Sequence, residues 1–199
     1  MNKCKLLVTC ANTNSQDRSK KYIESFNSIF AFKEKFLDIN ILETISINNC
    51  EYYEKCSFKK EFSNIGNLYT DKGYNWLNHV KAFLEKSDHE DYIFLTGRYL
   101  LLNDDLINIV DFYKDYKLIA KNDADVYGHG NGVHMFYFYF QKQIFMEFYK
   151  FCFFDQDRQT PIEWKLKRFM EKRNDCLIIP SSVSIGVEAR ISSGIIQKV

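Results

Sequence analysis

The chain has 199 residues, 46% of them apolar and 27% charged, and its net charge is +1. That length suits one domain with a sizeable core, and the balanced charge removes any bulk electrostatic case for nucleic acid. The cysteines Cys4, Cys10, Cys50, Cys56, Cys152 and Cys176 include no CxxC pair and no tight Cys/His cluster, which argues against zinc.

The opening MNKCKLLVTCANTN has too short an apolar run for a signal peptide, so a cytoplasmic chain with reduced thiols is expected. Lys5–Thr9 reads as a short buried strand. A polar loop containing Asn12 follows, and Ser15 and Asp17 suit the start of a helix whose apolar stripe is Tyr22, Phe26, Ile29 and Phe30. Ile39–Ile45 is a second strand. Strand, helix, strand at this spacing implies a right-handed crossover and a parallel pair. Glu43, near its end, is either an exposed edge carboxylate or an acceptor for a ribose or base. Ser46–Asn67 has no clear period. Thr70-Asp71-Lys72-Gly73 forms a turn before a helix striped by Trp76, Val80, Phe83 and Leu84. Lys72 and Gly73 therefore stand at a helix N-terminus, which is either an anion site or a solvated turn.

Tyr92–Leu95 reads as a strand buried on both faces. Thr96-Gly97-Arg98 interrupts it, and Tyr99–Leu102 resume the apolar run before a helix start at Asn103-Asp104-Asp105. An arginine ending a buried strand of an α/β chain marks the place where such folds hold ligands, so Thr96, Gly97, Arg98 and Tyr99 are expected around one site. Lys117–Ala120 is a further strand, followed by Asp123-Ala124-Asp125 and a loop rich in glycine from Gly128 to Gly132. Val133–Phe140 is read as one strand and Gln141–Cys152 as an amphipathic helix, because charged and amide residues break the run before it reaches a membrane span. Thr160, Pro161 and Glu163 spell a capping box opening the next helix. Cys176–Ile179 is a last strand, and residues 181–199 either wrap over the site or trail from a core of about residues 3–180. The alternation implies a single α/β domain with a mostly parallel, Rossmann-like central sheet flanked by helices.

In series, KLLVTCANTN, INILETI, DKGYNWLNH, DYIFLTGRYLLLNDDL and PIEWKLKRFMEKRNDCLIIP resemble the nucleotide-sugar-dependent glycosyltransferases of the GT-A fold, closest to small viral and bacterial members with a TGRY-like strand. The resemblance implies hexosyl transfer from a UDP- or GDP-sugar to a glycan or lipid-linked acceptor, with peripheral membrane association open to the chain. It places Thr9, Asn12 and Glu43 by the nucleoside, Lys72, Gly73 and the Thr96–Tyr99 segment by the diphosphate, and Glu163 as the base of an inverting reaction, with Glu188 as a second candidate. The family's DxD carboxylates hold Mn²⁺ or Mg²⁺; here that slot reads Thr96-Gly97-Arg98. A guanidinium cannot ligate a cation, but it can pair with phosphate. Two alternatives stay open: metal-independent catalysis, or a cation held by Asp123 and Asp125 with help from His129 or His134. A GT-A-like domain that binds nucleotide or glycan without turnover is the competing function. A nucleotidyltransferase fits less well, because no GxG-rich segment follows the first strand.

Overall fold

Strand-forming runs and helical stripes alternate along the chain, and the structure, a computed structural model, stacks them as a layered α/β fold. It describes residues 3–11, 16–44, 58–123, 132–154, 159–190 and 196–198. Strand β1 (Lys5–Cys10), helix α1 (Gln16–Phe30) and strand β2 (Ile39–Glu43) form the expected parallel unit. β3 (Lys59–Phe62) extends it beside β2, and helix α2 (Lys72–Lys86) leads into β4 (Asp91–Thr96), parallel to β1 on its other side. The two-residue β5 (Leu100–Leu101), helix α3 (Asp105–Phe112) and β6 (Leu118–Asp123) follow. After them come β7 (Gly132–Val133), β8 (Tyr137–Gln141), helix α4 (Lys142–Phe154), helix α5 (Ile162–Glu171), β9 (Cys176–Ile179), β10 (Val187–Arg190) and β11 (Ile196–Lys198).

The main sheet runs β3-β2-β1-β4-β8-β6, with β7 and β9 both pairing with β6. β8 lies antiparallel to β4 and to β6, while β9 is parallel to β6, so the sheet is mixed but mostly parallel. β4 sits in its middle. The carboxyl ends of β1, β2, β4 and β6 all open at one edge, the side on which such sheets hold ligands.

Alternation along each strand feeds two cores. Leu6, Val8, Ile93 and Leu95 face α1 and α3, while Leu7, Tyr92 and Phe94 face α2, α4 and α5. Much of the aromatic content is spent on the second face. Phe94 lies opposite Phe138 and Tyr92 opposite Phe140, with ring centroids 5.3 and 5.6 Å apart. Each such ring buried contributes about 1.5–3 kcal/mol.

Three expectations are corrected. Val133–Phe140 is two strands, because the His134 N–H turns to the Lys121 carbonyl (2.8 Å) and the Phe136 carbonyl accepts from the Thr96 N–H (2.8 Å). β3 lies inside the stretch read as irregular. Beyond residue 180 the chain still belongs to the fold: β10 pairs with β5 and β11 in a small antiparallel sheet, and Val187 and Ala189 are fully buried. Among the described residues no helix is long and apolar enough to cross a membrane.

Candidate functional site

The site is built on the turn that ends β4. The Tyr99 N–H closes it onto the Thr96 carbonyl (3.0 Å), and the Gly97 N–H straps it to the Thr9 carbonyl of β1 (2.9 Å). Only glycine fits at position 97, since a Cβ there would stand 2.5 Å from Cys10 Sγ and 3.0 Å from the Thr9 carbonyl oxygen. Tyr99, expected among the ligand contacts, is chiefly a core anchor. Its ring meets Phe136 edge-on at 4.9 Å, and its carbonyl accepts from Ser25 Oγ at 2.6 Å. Its ring also lies 5.5 Å from the Arg98 guanidinium, a contact worth about 0.5–1 kcal/mol. Arg98 makes no ion pair among the described residues, and its Nε is buried without a hydrogen-bond partner.

In front of the turn lies a cavity of about 460 Å³ whose wall includes Thr9, Ala11, Arg18, Lys72, Trp76 and Arg98. That is the size of a small-ligand site. Three cations line it and, among the described residues, no carboxylate does. The inner face of α2 fixes its far wall: Asn75 bonds both backbone groups of Tyr69, and the His79 ring nitrogens meet Ser63 Oγ and Asn67 Oδ1. Burial lowers the His79 pKa, against the opposing pull of Glu43. Arg18 donates to the Ala11 carbonyl at 3.0 Å.

Two candidates sit differently from the expectation. Glu43 is only 1% exposed and accepts from the Thr44 N–H at 3.1 Å, so it lies beneath the cavity rather than in its wall. The N-terminus of α2 is already occupied: Asp71 accepts from the Gly73 and Tyr74 N–H groups at 2.7 and 3.2 Å. An anion gains little from donors so engaged. Lys72 still lines the cavity, whereas Gly73 is needed for close approach, since a Cβ there would stand 2.8 Å from Ile162 Cγ2.

Behind Arg98 a second hollow of about 170 Å³ is lined by Thr96, Arg98, Asp123, His134, Phe136 and Glu163, among others. Glu163 reaches it because the expected capping box does not form. Pro161, not Thr160, is the N-cap of α5 and makes no side-chain cap bond; the Trp164 and Lys165 N–H groups turn to its carbonyl. Burial raises the Glu163 pKa, with Asp71 and Asp123 adding to the rise and its own backbone N–H opposing it. His134 Nε2 lies 4.0 Å from Asp123 Oδ1, but burial and nearby Lys121 push the imidazole pKa down to about 3, so this is a contact of a neutral ring and not an ion pair. Glu188 lies in β10 and lines neither hollow.

Asn12, Asp125 and His129 lie outside the described residues. Among the described residues no group of three His, Cys, Asp or Glu side chains is placed to hold a metal ion. Arg18, His79 and Asn67 were not read as site residues from the sequence. Arg18 had a signal, one turn into the helix that leaves the end of β1; His79 and Asn67 meet only through the folded 63–69 segment.

The sequence matches no protein-family model and no curated relative. Solved structures are similar in fold. A 4-diphosphocytidyl-2C-methyl-D-erythritol synthase from Anaerococcus prevotii superposes with a TM-score of 0.58 at 10% identity, over 100% of this chain and 91% of that one. A protein described as a nucleotide-diphospho-sugar transferase from Desulfovibrio desulfuricans gives 0.55 at 11% identity, over 90% and 80%. The glycosyltransferase GlyE of Streptococcus pneumoniae gives 0.57 at 10% identity, over 90% of this chain and 45% of that one. The fold is thus that of nucleotide-sugar and nucleotidyl transferases.

Proposed function

We propose that the chain transfers a sugar from a nucleotide-diphosphate sugar to a hydroxyl of a glycan or lipid-linked acceptor. The observation that carries this reading is the separation of charge across one turn. Thr96 and Arg98 belong to both hollows, with the larger lined by Arg18, Lys72 and Arg98 and the smaller holding Asp123 and Glu163. A nucleoside diphosphate suits the cationic side, its diphosphate pairing with Arg98. The sugar then lies at the junction and the acceptor hydroxyl beside Glu163.

In that arrangement the acceptor oxygen forms a bond to the anomeric carbon as the bond to the phosphate oxygen breaks. The nucleoside diphosphate leaves with the electron pair, and Glu163 takes the hydroxyl proton. A carboxylate whose pKa burial has raised is a stronger base than a solvated one. This chemistry displaces the sugar from the opposite side and inverts the anomeric centre. A nucleotidyl transfer is less well supported, because residues 11–15, ANTNS, offer no glycine to cradle a triphosphate after β1.

The test is release of nucleoside diphosphate from UDP- and GDP-sugars with mixed glycan and lipid-linked acceptors. Turnover that Glu163→Gln lowers by about 10²–10⁴-fold supports the reading. Tight nucleotide binding with no release from any donor and acceptor would instead identify a binding domain without turnover.

A further inference from the structure

A sugar donor carries two phosphate charges, and a transferase of this fold needs positive charge where they sit. Resting on the reading above, we infer that this chain supplies that charge from its own side chains, through Arg98 with Lys72 and Arg18, and that donor binding needs no divalent cation. In the glycosyltransferases that the sequence resembles, the slot at the turn ending β4 carries the cation-holding carboxylates, and here its three residues are the wrong donors. Thr96 offers one hydroxyl, Gly97 offers no side chain, and a guanidinium has no lone pair to give. A bound Mg²⁺ or Mn²⁺ in the larger cavity would find no carboxylate in its described wall and would be repelled by three cationic side chains.

Asp123 does not repair this. It is 6% exposed, and it opens on the smaller hollow with Glu163, on the far side of Arg98 from the cavity that fits a nucleotide. The guanidinium, by contrast, is placed for an anion. The turn beneath it is fixed by the Gly97 to Thr9 bond, Tyr99 backs one face of it, and its buried Nε has no partner. No carboxylate among the described residues neutralises it, so its charge is directed to whatever enters the two hollows. A planar fork held in this way binds two phosphate oxygens at once, which an ammonium cannot do.

The experiment is titration of the full chain with UDP, GDP, CDP, ADP and inorganic pyrophosphate, each in EDTA and again in excess Mg²⁺ or Mn²⁺. Wild type is expected to bind at least one nucleoside diphosphate with an affinity that chelator changes less than twofold. Arg98→Ala should lose at least tenfold, with no recovery in either metal, and Arg98→Lys should recover only part. Melting temperatures of both variants check the fold. Binding that EDTA abolishes and Mn²⁺ restores would overturn the inference, as would an Arg98→Ala variant with unchanged affinity; failure of every ligand to bind would overturn it together with the donor reading. Chelator-resistant binding without sugar release leaves the inference standing and removes the transferase reading. Sugar release with donor binding that EDTA abolishes does the reverse.

Discussion

Gly97 is where the site can be broken without touching a charged group. An alanine Cβ at this position would lie 2.5 Å from Cys10 Sγ, 3.0 Å from the Thr9 carbonyl oxygen and 3.3 Å from Tyr22 Cδ1. Comfortable non-bonded separations are about 3.5–4.0 Å, so the turn must move by about 1 Å or β1 must yield. β1 is the central strand's hydrogen-bonded neighbour and cannot shift cheaply. Overpacking of this kind costs about 2 kcal/mol, which in a chain of this size lowers Tm by about 4–8 °C. A 1 Å displacement of Arg98 costs more in function, about 100-fold in turnover. The assay pairs a thermal melt with nucleoside diphosphate titration and donor turnover of Gly97→Ala and of the double variant Gly97→Ala/Cys10→Ala. Removing Cys10 Sγ lifts the worst contact and leaves the Thr9 carbonyl, so the double variant should regain part of both losses. A Gly97→Ala chain that melts and binds as wild type does would refute the argument that close approach to β1 positions Arg98.

Other perturbations read different parts of the site. The raised Glu163 pKa means that the fold favours its protonated form: the stability this contributes is present below the ordinary carboxylate pKa and lost as pH rises through the raised one. Glu163→Gln should therefore melt no lower than wild type at neutral pH while losing turnover; a lower Tm with proportionate loss of activity would leave Glu163 a structural role only. Asp71 raises the Glu163 pKa and also caps α2, and Asp71→Asn keeps the cap while removing the charge. Its pH–rate profile should shift its acidic limb to lower pH with little change in Tm, whereas Asp71→Ala should cost about 1 kcal/mol, read by denaturant titration. Away from the site, Arg173 pairs with both oxygens of Asp175 at 2.8 and 3.0 Å and holds that carboxyl down at about 2. The pair's stability is present above pH of about 4 and lost as pH falls toward 2, so Arg173→Ala should cost about 1–2 kcal/mol at neutral pH, with the two chains converging in acid. Equal urea midpoints at pH 7 would show that pair to be inert.

What the sequence displayed was the part of the fold written in apolar period. β1, β2 and β4 are largely buried runs between turns, β9 is a short apolar run before Pro180, and α1, α2 and α5 carry stripes at helical spacing. The central place of β4 followed from its length and from having no polar face. β3 was hidden because Lys-Lys-Glu-Phe has no apolar run; it is a strand because β2 offers it an edge to pair with. β5 is two residues long and exists only through β10, 86 residues away in chain order between Leu101 and Val187. The Arg98 turn was legible as a candidate site because a charge ended a buried run. The orientation of Glu163 was not, since the same four residues suit a capping box. Pro161 takes the N-cap without a side-chain cap bond, so no capping box holds the carboxylate, and α5 packs closely on β7, where a Cβ on Gly132 would stand 3.2 Å from the Glu163 Cβ. Glu43 and Gly73 matched site positions by sequence, yet burial in one case and Asp71 in the other give them supporting roles.

The central claim is that one turn, presenting Arg98, divides a nucleotide cavity from an acidic acceptor hollow. The most direct measurement is a crystal structure of the chain with UDP or GDP, whichever binds more tightly. The account predicts the nucleoside in the cavity between α1 and α2, the diphosphate within hydrogen-bond distance of the Arg98 guanidinium, and its terminal phosphate facing Glu163. A nucleotide bound elsewhere, or one in this cavity with Arg98 turned into solvent, would contradict it.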